Sequence, residues 1–190
     1  MKFNCSIIGL CGSARSGKDT FFNFAEKIFS KEGVILKRLA FADILKEEMD
    51  DFLTSRFGIS AFTSSTKEKT LIRPIMVSYG EAKRNISDGT YWIDRVKPKA
   101  EESRKKGEVT VITDVRYLNE LKWLKSIDNG SSIYIEREGI APANREEEKN
   151  DPLLRQHSDV NIKWGTFKDK DMSLCSPIVE ETLMKLCYEN

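Results

Sequence analysis

The chain has 190 residues, 39% of them hydrophobic and 32% charged, a globular mix long enough for one domain with a sizeable core. Its 31 Lys and Arg balance 30 Asp and Glu, so there is no global basic field, which argues against long nucleic acid as a partner. The cysteines (Cys5, Cys11, Cys175, Cys187) lack CxxC spacing and His157 is the sole histidine, against a structural zinc site; with no secretory signal and no apolar run of ~20 residues, no membrane partner and a reducing cytoplasm are expected.

The elements follow in chain order. Phe3 to Leu10 is an apolar strand closed by Gly9 and Gly12. A helix follows from Gly17, with Phe21, Phe24, Ala25 and Ile28 on one face. Val34 to Phe41 predicts a second strand. The next helix carries Leu45, Met49 and Phe52 on its apolar face. Thr63 to Thr70 reads as a polar connection, and Pro74 suits the first turn of a helix whose apolar face is Ile75, Tyr79, Ala82 and Ile86. A helix around Tyr91 to Val96 is expected to end near Pro98. Val109 to Thr113, β-branched and apolar, predicts a central strand. Leu118, Leu121 and Leu124 begin another helix, and Ile133 to Ile135 is a short strand. Residues 137–156 are polar and predict a surface loop or mobile lid, and Val179, Leu183 and Leu186 mark a last helix. The alternation predicts an α/β domain with a parallel sheet covered by helices.

One motif carries chemistry. Gly12-Ser13-Ala14-Arg15-Ser16-Gly17-Lys18-Asp19-Thr20 is GxxxxGK followed by Asp-Thr. Glycines let successive N–H groups turn inward onto phosphate oxygens, and the following helix offers its positive end to the same anion. Lys18 supplies a compact cation for the outer phosphates, and a hydroxyl completes an Mg²⁺ shell. The bare string occurs by chance in roughly one chain in twenty of this length, so its place between a buried-type strand and an amphipathic helix carries the weight. Asp19 stands where the usual motif has Ser or Thr; either Asp19 or Thr20 could approach the metal.

The strand ending in Asp114 supplies the second half. Ligands sit at the carboxyl ends of parallel strands, so Asp114 is expected to hold Mg²⁺ or its water; a cap of the following helix is the alternative, and the two roles can coexist. Arg116, Asn119 and Glu120 follow closely. Phe41-Ala42-Asp43, with Lys46 a turn later, ends the second strand. Arg73, Lys83 and Arg84 are cations suited to an acceptor phosphate, and Tyr91 and Trp92 are rings that could stack on a base or pack in the core. Arg137, Arg145 and Arg155 fall in or beside the expected lid, where an arginine closing on the γ-phosphate would neutralise charge and exclude water. His157 is not needed as a base, because a phosphate acceptor is already anionic and its attack needs alignment.

With these residues on the page, the chain resembles the phage-type deoxynucleoside monophosphate kinases of the P-loop NMP-kinase group. The matching blocks are GSARSGKDT (12–20), FADILKE (41–47), IRPIMVSYGEAKRNISDGTYWIDRV (72–96), TDVRYLNE (113–120) and, weakly, HSDVNIKWGTFKD (157–169). The resemblance implies a three-layer P-loop NTPase fold across residues 1–190, ATP at the cradle with Mg²⁺, and a lid over about 137–156 carrying arginines. It further implies an acceptor-binding helical segment over about 43–97, with the monophosphate near Asp43, Lys46, Arg73, Arg84 and Arg116. Animal-type phosphomevalonate kinase is also similar, in its SGKD cradle, in TSSTKEKTLIR (63–73) and in GEAKR (80–84). A nucleotide-dependent switch is the reading of another class, marked by ATP consumption that no small acceptor stimulates. The apolar helix faces leave room for a homodimer.

Overall fold

The computed structural model describes residues 4–165 and 174–188. The end of the 157–169 block falls outside that range. The chain forms two compact units, residues 1–39 with 100–190, and residues 40–99.

The first unit is built on a five-stranded sheet of order β2-β3-β1-β4-β5, every pair parallel. Its strands are β1 (Ile7–Cys11), β2 (Leu36–Leu39), β3 (Val109–Val115), β4 (Gly130–Arg137) and β5 (Val160–Trp164). All of β1 is buried, as an unbroken apolar run flanked by two strands and covered by helices must be. Helix α1 (Lys18–Lys31) buries Phe21, Phe22, Ala25 and Phe29. These join Val179 and Leu183 of α7 (Cys175–Cys187) and Ile8, Leu10, Val111 and Ile133 of the sheet in one core. Helix α5 (Leu118–Lys125) passes so close to β1 that a Cβ on Gly9 would lie 2.4 Å from Leu124. The four cysteines are free and buried. The order runs outward from β1 in both directions, which leaves a crevice at the carboxyl end of β1.

The second unit is helical, with α2 (Phe41–Phe57), α3 (Thr66–Ile86) and the first part of α4 (Tyr91–Lys105), within which the chain passes back to the first unit. Met49, Leu53, Ala61 and Ile72 form its small core, with Ile75 and Tyr79 packed against it. Glu48 ties its helices together: it accepts hydrogen bonds from the Tyr79 hydroxyl at 3.0 Å, the Tyr91 hydroxyl at 2.9 Å and Arg95 Nε at 2.8 Å. Among the described residues, no helix is long and apolar enough to cross a membrane.

Several expectations are corrected. β2 stops at Leu39, so Phe41 and Asp43 open α2 rather than close a strand. Phe52 is exposed, and the buried residues of that helix are Phe41, Ile44, Met49 and Leu53. Helix α3 begins at Thr66, capped by Ser65, and Pro74 lies inside it; Ile86 is exposed. Helix α4 runs past Pro98. Residues 145–157 form helix α6 (Arg145–His157), not a loop, and β5 is a strand that the sequence reading passed over.

Candidate active site at the phosphate cradle

The six residues between β1 and α1, Gly12 to Gly17, form a tight turn into the helix. Gly12 and Gly17 have φ of 125° and 101°, and Arg15 between them is also left-handed at 65°. Left-handed residues alternating with right-handed ones turn backbone N–H groups to one side, which makes an anion-binding concavity. Neither glycine tolerates a side chain. A Cβ on Gly12 would lie 2.2 Å from the Ile135 carbonyl oxygen, and one on Gly17 2.6 Å from the Trp164 ring. Trp164, from β5, donates its indole N–H to the Ser16 carbonyl at 2.8 Å. The loop is thus braced from the adjacent strands.

Lys18 is buried, its Nζ donating to the Gly12 and Ser13 carbonyls at 2.7 Å each and to Ser16 Oγ at 3.4 Å. Burial holds its pKa below the ordinary lysine value, and the positive charge of Arg116 adds to that; Glu147, Asp114 and Asp151 act the other way. Asp114 is therefore near enough for its charge to be felt at Lys18. It lies within β3, and Tyr117 is the N-cap of α5, so the capping role does not fall to Asp114. The backbone N–H groups of Arg116 and Tyr117 both donate to the buried Glu120 carboxylate, at 2.8 and 3.1 Å, which fixes the turn that carries Arg116. Asn119 is half-buried in the first turn of α5.

Helix α6 reaches the cradle from the opposite direction in sequence. Glu147 accepts the Ala14 N–H at 3.1 and 3.2 Å and pairs with the Arg116 guanidinium. Asp151 accepts the Ser13 hydroxyl. Burial alone would raise the Glu147 pKa, but the Ala143 and Ala14 amides and Arg116 bring it below the usual carboxylate value. Asp151 is held above its usual value by burial, with the Ser13 hydroxyl opposing and the Glu147 charge reinforcing. Its neighbour Tyr134 is pushed up to about 12 by burial and by Asp151.

The remaining candidates fall in different places. Arg137, at the end of β4, points at the loop and donates to the Arg15 carbonyl at 3.4 Å. Arg155 pairs with Glu136 at 2.9 Å, and Arg145 is exposed at the start of α6. Asp19 is exposed, with Arg38 at 4.0 Å, and Thr20 is half-buried. In the helical unit, Lys46 pairs with Asp43 at 2.9 Å, Lys83 lies over the Tyr91 ring at 4.6 Å, Arg73 is exposed and Arg84 half-buried. Trp92 is corrected to a core residue: it is 2% exposed and donates its indole N–H to the Gly80 carbonyl at 3.2 Å, so its ring offers no face to a base. Glu147, Asp151 and Trp164 were missed by the motif reading. Only Glu147 carried a signal, standing three residues after Asn144 at the spacing of a helix-capping pair.

A cavity of about 620 Å³ opens beside the loop, lined among others by Ser13, Ser16, Arg137, Asp151, Arg155 and Asn161. No protein-family model matches the chain, and no curated protein does. Solved structures do. A dephospho-CoA kinase from Campylobacter jejuni superposes with a TM-score of 0.54 at 13% identity, covering 93% of this chain and 96% of that one. The chain has the P-loop NTPase fold. Looser likenesses are a shikimate kinase from Bacteroides thetaiotaomicron (TM-score 0.49, 12% identity, 93% and 97% covered) and an APS kinase of Mycobacterium tuberculosis (0.41, 14%, 96% and 99%).

Proposed function

We propose that the chain is a kinase that transfers the γ-phosphoryl group of ATP to a small phosphorylated acceptor, with a deoxynucleoside monophosphate as that acceptor. The observation that carries this reading is the turn from Gly12 to Lys18, which opens a helix at the carboxyl end of the central strand with its lysine buried beneath it. The fold shared with a protein described as a dephospho-CoA kinase supports phosphotransferase chemistry, and the order of the blocks from 12 to 120 supports a nucleotide acceptor.

In this reading the loop amides and Lys18 hold the outer phosphates. The cavity lined by Ser16, Arg137 and Asn161 has the size of a small-molecule site and takes the nucleoside end of the donor. Arg116 and Arg137 neutralise charge around the moving phosphoryl group, and Arg145 joins them if α6 shifts. Arg73, Lys83 and Arg84, with Lys46 and Asp43, orient the acceptor. Mg²⁺ fits this donor set: it takes oxygen ligands, and bound to nucleotides it needs only one or two protein carboxylates or hydroxyls beside the phosphates. Asp114, whose charge reaches Lys18, and Thr20 or Asp19 would hold it; bound there, it would shield the triphosphate's negative charge. No general base is required, because the acceptor oxygen is already ionised.

The test is ADP release with dTMP, dGMP, dCMP, phosphomevalonate and dephospho-CoA offered singly, in wild type and Lys18→Ala. Stimulation by a deoxynucleotide, lost by more than ~100-fold in the variant, is expected. Stimulation by phosphomevalonate alone would move the assignment to that substrate. ATP consumption that no acceptor raises would favour a switch, and full activity in Lys18→Ala would remove the cradle assignment.

A further inference from the structure

The proposed transfer leaves unexplained why α6 brings two buried carboxylates to a loop built for anions. Glu147 is 5% exposed and Asp151 7%. Glu147 engages the Ala14 amide of the loop and the Arg116 guanidinium together. These are donors that a phosphate would use: carboxylate and phosphate oxygens accept from N–H groups and guanidinium forks in the same way. Asp151 holds the Ser13 hydroxyl at the next position of the same loop. A triphosphate arriving here meets a fixed negative charge in a partly buried setting. It must displace that charge or sit against it, and like charges at close range oppose each other's ionisation.

We propose that Glu147 is an internal stand-in for a nucleotide phosphate, whose displacement sets the affinity for ATP and hands Arg116 to the incoming triphosphate. The inference rests on the reading of the loop as an ATP site. Asp151 adds to the barrier from the neighbouring turn of the same helix.

A purely structural role for Glu147 makes the opposite prediction. The residue also accepts the Ala143 N–H at 2.8 Å, which ties down the start of α6. A capping role accounts for that bond alone. It implies that a neutral side chain lowers stability and leaves ATP binding unchanged or weaker. A stand-in implies that the neutral side chain strengthens ATP binding even while stability falls.

The experiment is calorimetric titration of wild type, Glu147→Gln and Glu146→Gln with ATP and Mg²⁺, each variant first checked for a folded melting transition. Glu146 is the adjacent exposed acid; it accepts the Tyr117 hydroxyl, a bond that a glutamine oxygen can keep, and makes no bond to the loop, so its change removes the same unit of charge there. Glu147→Gln should bind ATP about fivefold tighter or more, and Glu146→Gln should match wild type. Equal or weaker binding by Glu147→Gln, with wild type binding ATP, overturns the stand-in and leaves the ATP site intact. Equal tightening by both variants also overturns it, since general charge then explains the gain. Absence of ATP binding in all three removes the ATP site itself and the inference with it. If Glu147→Gln does not fold, Glu147→Asp, which keeps the charge but withdraws it by one methylene, replaces it, with tighter binding expected and unchanged binding decisive against.

Discussion

Trp164 shows how a single side chain can decide the shape of a loop it does not belong to. Its N–H is the partner of a buried carbonyl at Ser16, and its ring fills the space beside Gly17. Trp164→Phe keeps most of the ring's packing and leaves that carbonyl unpaired. A buried acceptor without its donor costs about 1–3 kcal/mol. Part of that penalty falls on the loop geometry, so the KM for ATP should rise several-fold while the KM for the acceptor stays put, measured by steady-state kinetics beside a denaturant melt. Equal rises in both constants would mean that the tryptophan serves the fold in general and not the loop. Lys18 and the glycines around it could be read from the sequence because the motif is local: each residue's role follows from neighbours a few positions away. Trp164 and Asp151 could not, because their partners Ser16 and Ser13 lie 148 and 138 residues away. Trp92 failed for a related reason, since an aromatic ring in a polar segment gives no sign of which way it turns.

The junction between α6 and β5 is where an element is held by charge. Asp159 accepts from the Ser132 N–H and hydroxyl of β4 at 2.8 and 2.6 Å, and from Lys125 at the end of α5 at 2.7 Å. Burial alone would raise its pKa; Lys125 and Ser132 bring it below the ordinary 3.8. A carboxyl depressed in the folded state adds stability that is complete above its unfolded pKa and fades as pH falls through the lower folded value. Asp159→Asn should therefore cost about 1–2 kcal/mol at neutral pH, and the gap to wild type should close below pH 3.8 in urea melts taken across the acid range. A gap that stays constant into acid would show that shape, not charge, secures the junction. The elements themselves were legible where burial imposes a pattern, as in β1, α1, β3 and α5. Two helices were misread where proline was taken as a start or an end: Pro74 and Pro98 each lie inside a helix. An internal proline loses one hydrogen bond and strains a turn, a cost of about 3 kcal/mol that packing and capping on both sides can outweigh. The caps were the better signal: Ser65 ahead of Glu68 and Asn144 ahead of Glu147 mark the true starts of α3 and α6. β5 escaped notice because alternate residues, Asn161 and Lys163, are exposed in a short run that follows a polar helix.

At the scale of the whole molecule, the division into a sheet unit and a helical unit gives the ATP reading a thermodynamic consequence. The cradle, Arg116, Arg137 and α6 all belong to the sheet unit, while Asp43, Lys46, Arg73, Lys83 and Arg84 belong to the helical one. A ligand bound only by the folded state stabilises it by mass action, about 2.7 kcal/mol at a hundredfold excess over its Kd. For a chain of this length each kcal/mol moves a melting midpoint by about 2–4 °C. MgATP at that excess should thus raise the transition of the sheet unit by about 5–10 °C in scanning calorimetry. Two compact units need not melt together. Where two transitions resolve, a deoxynucleoside monophosphate should raise the one that MgATP leaves in place, and Lys18→Ala should lose the ATP shift while keeping the acceptor shift. A monophosphate that moves only the ATP-responsive transition would put its site on the sheet unit, and the cations of α2 and α3 would then have no part in holding it.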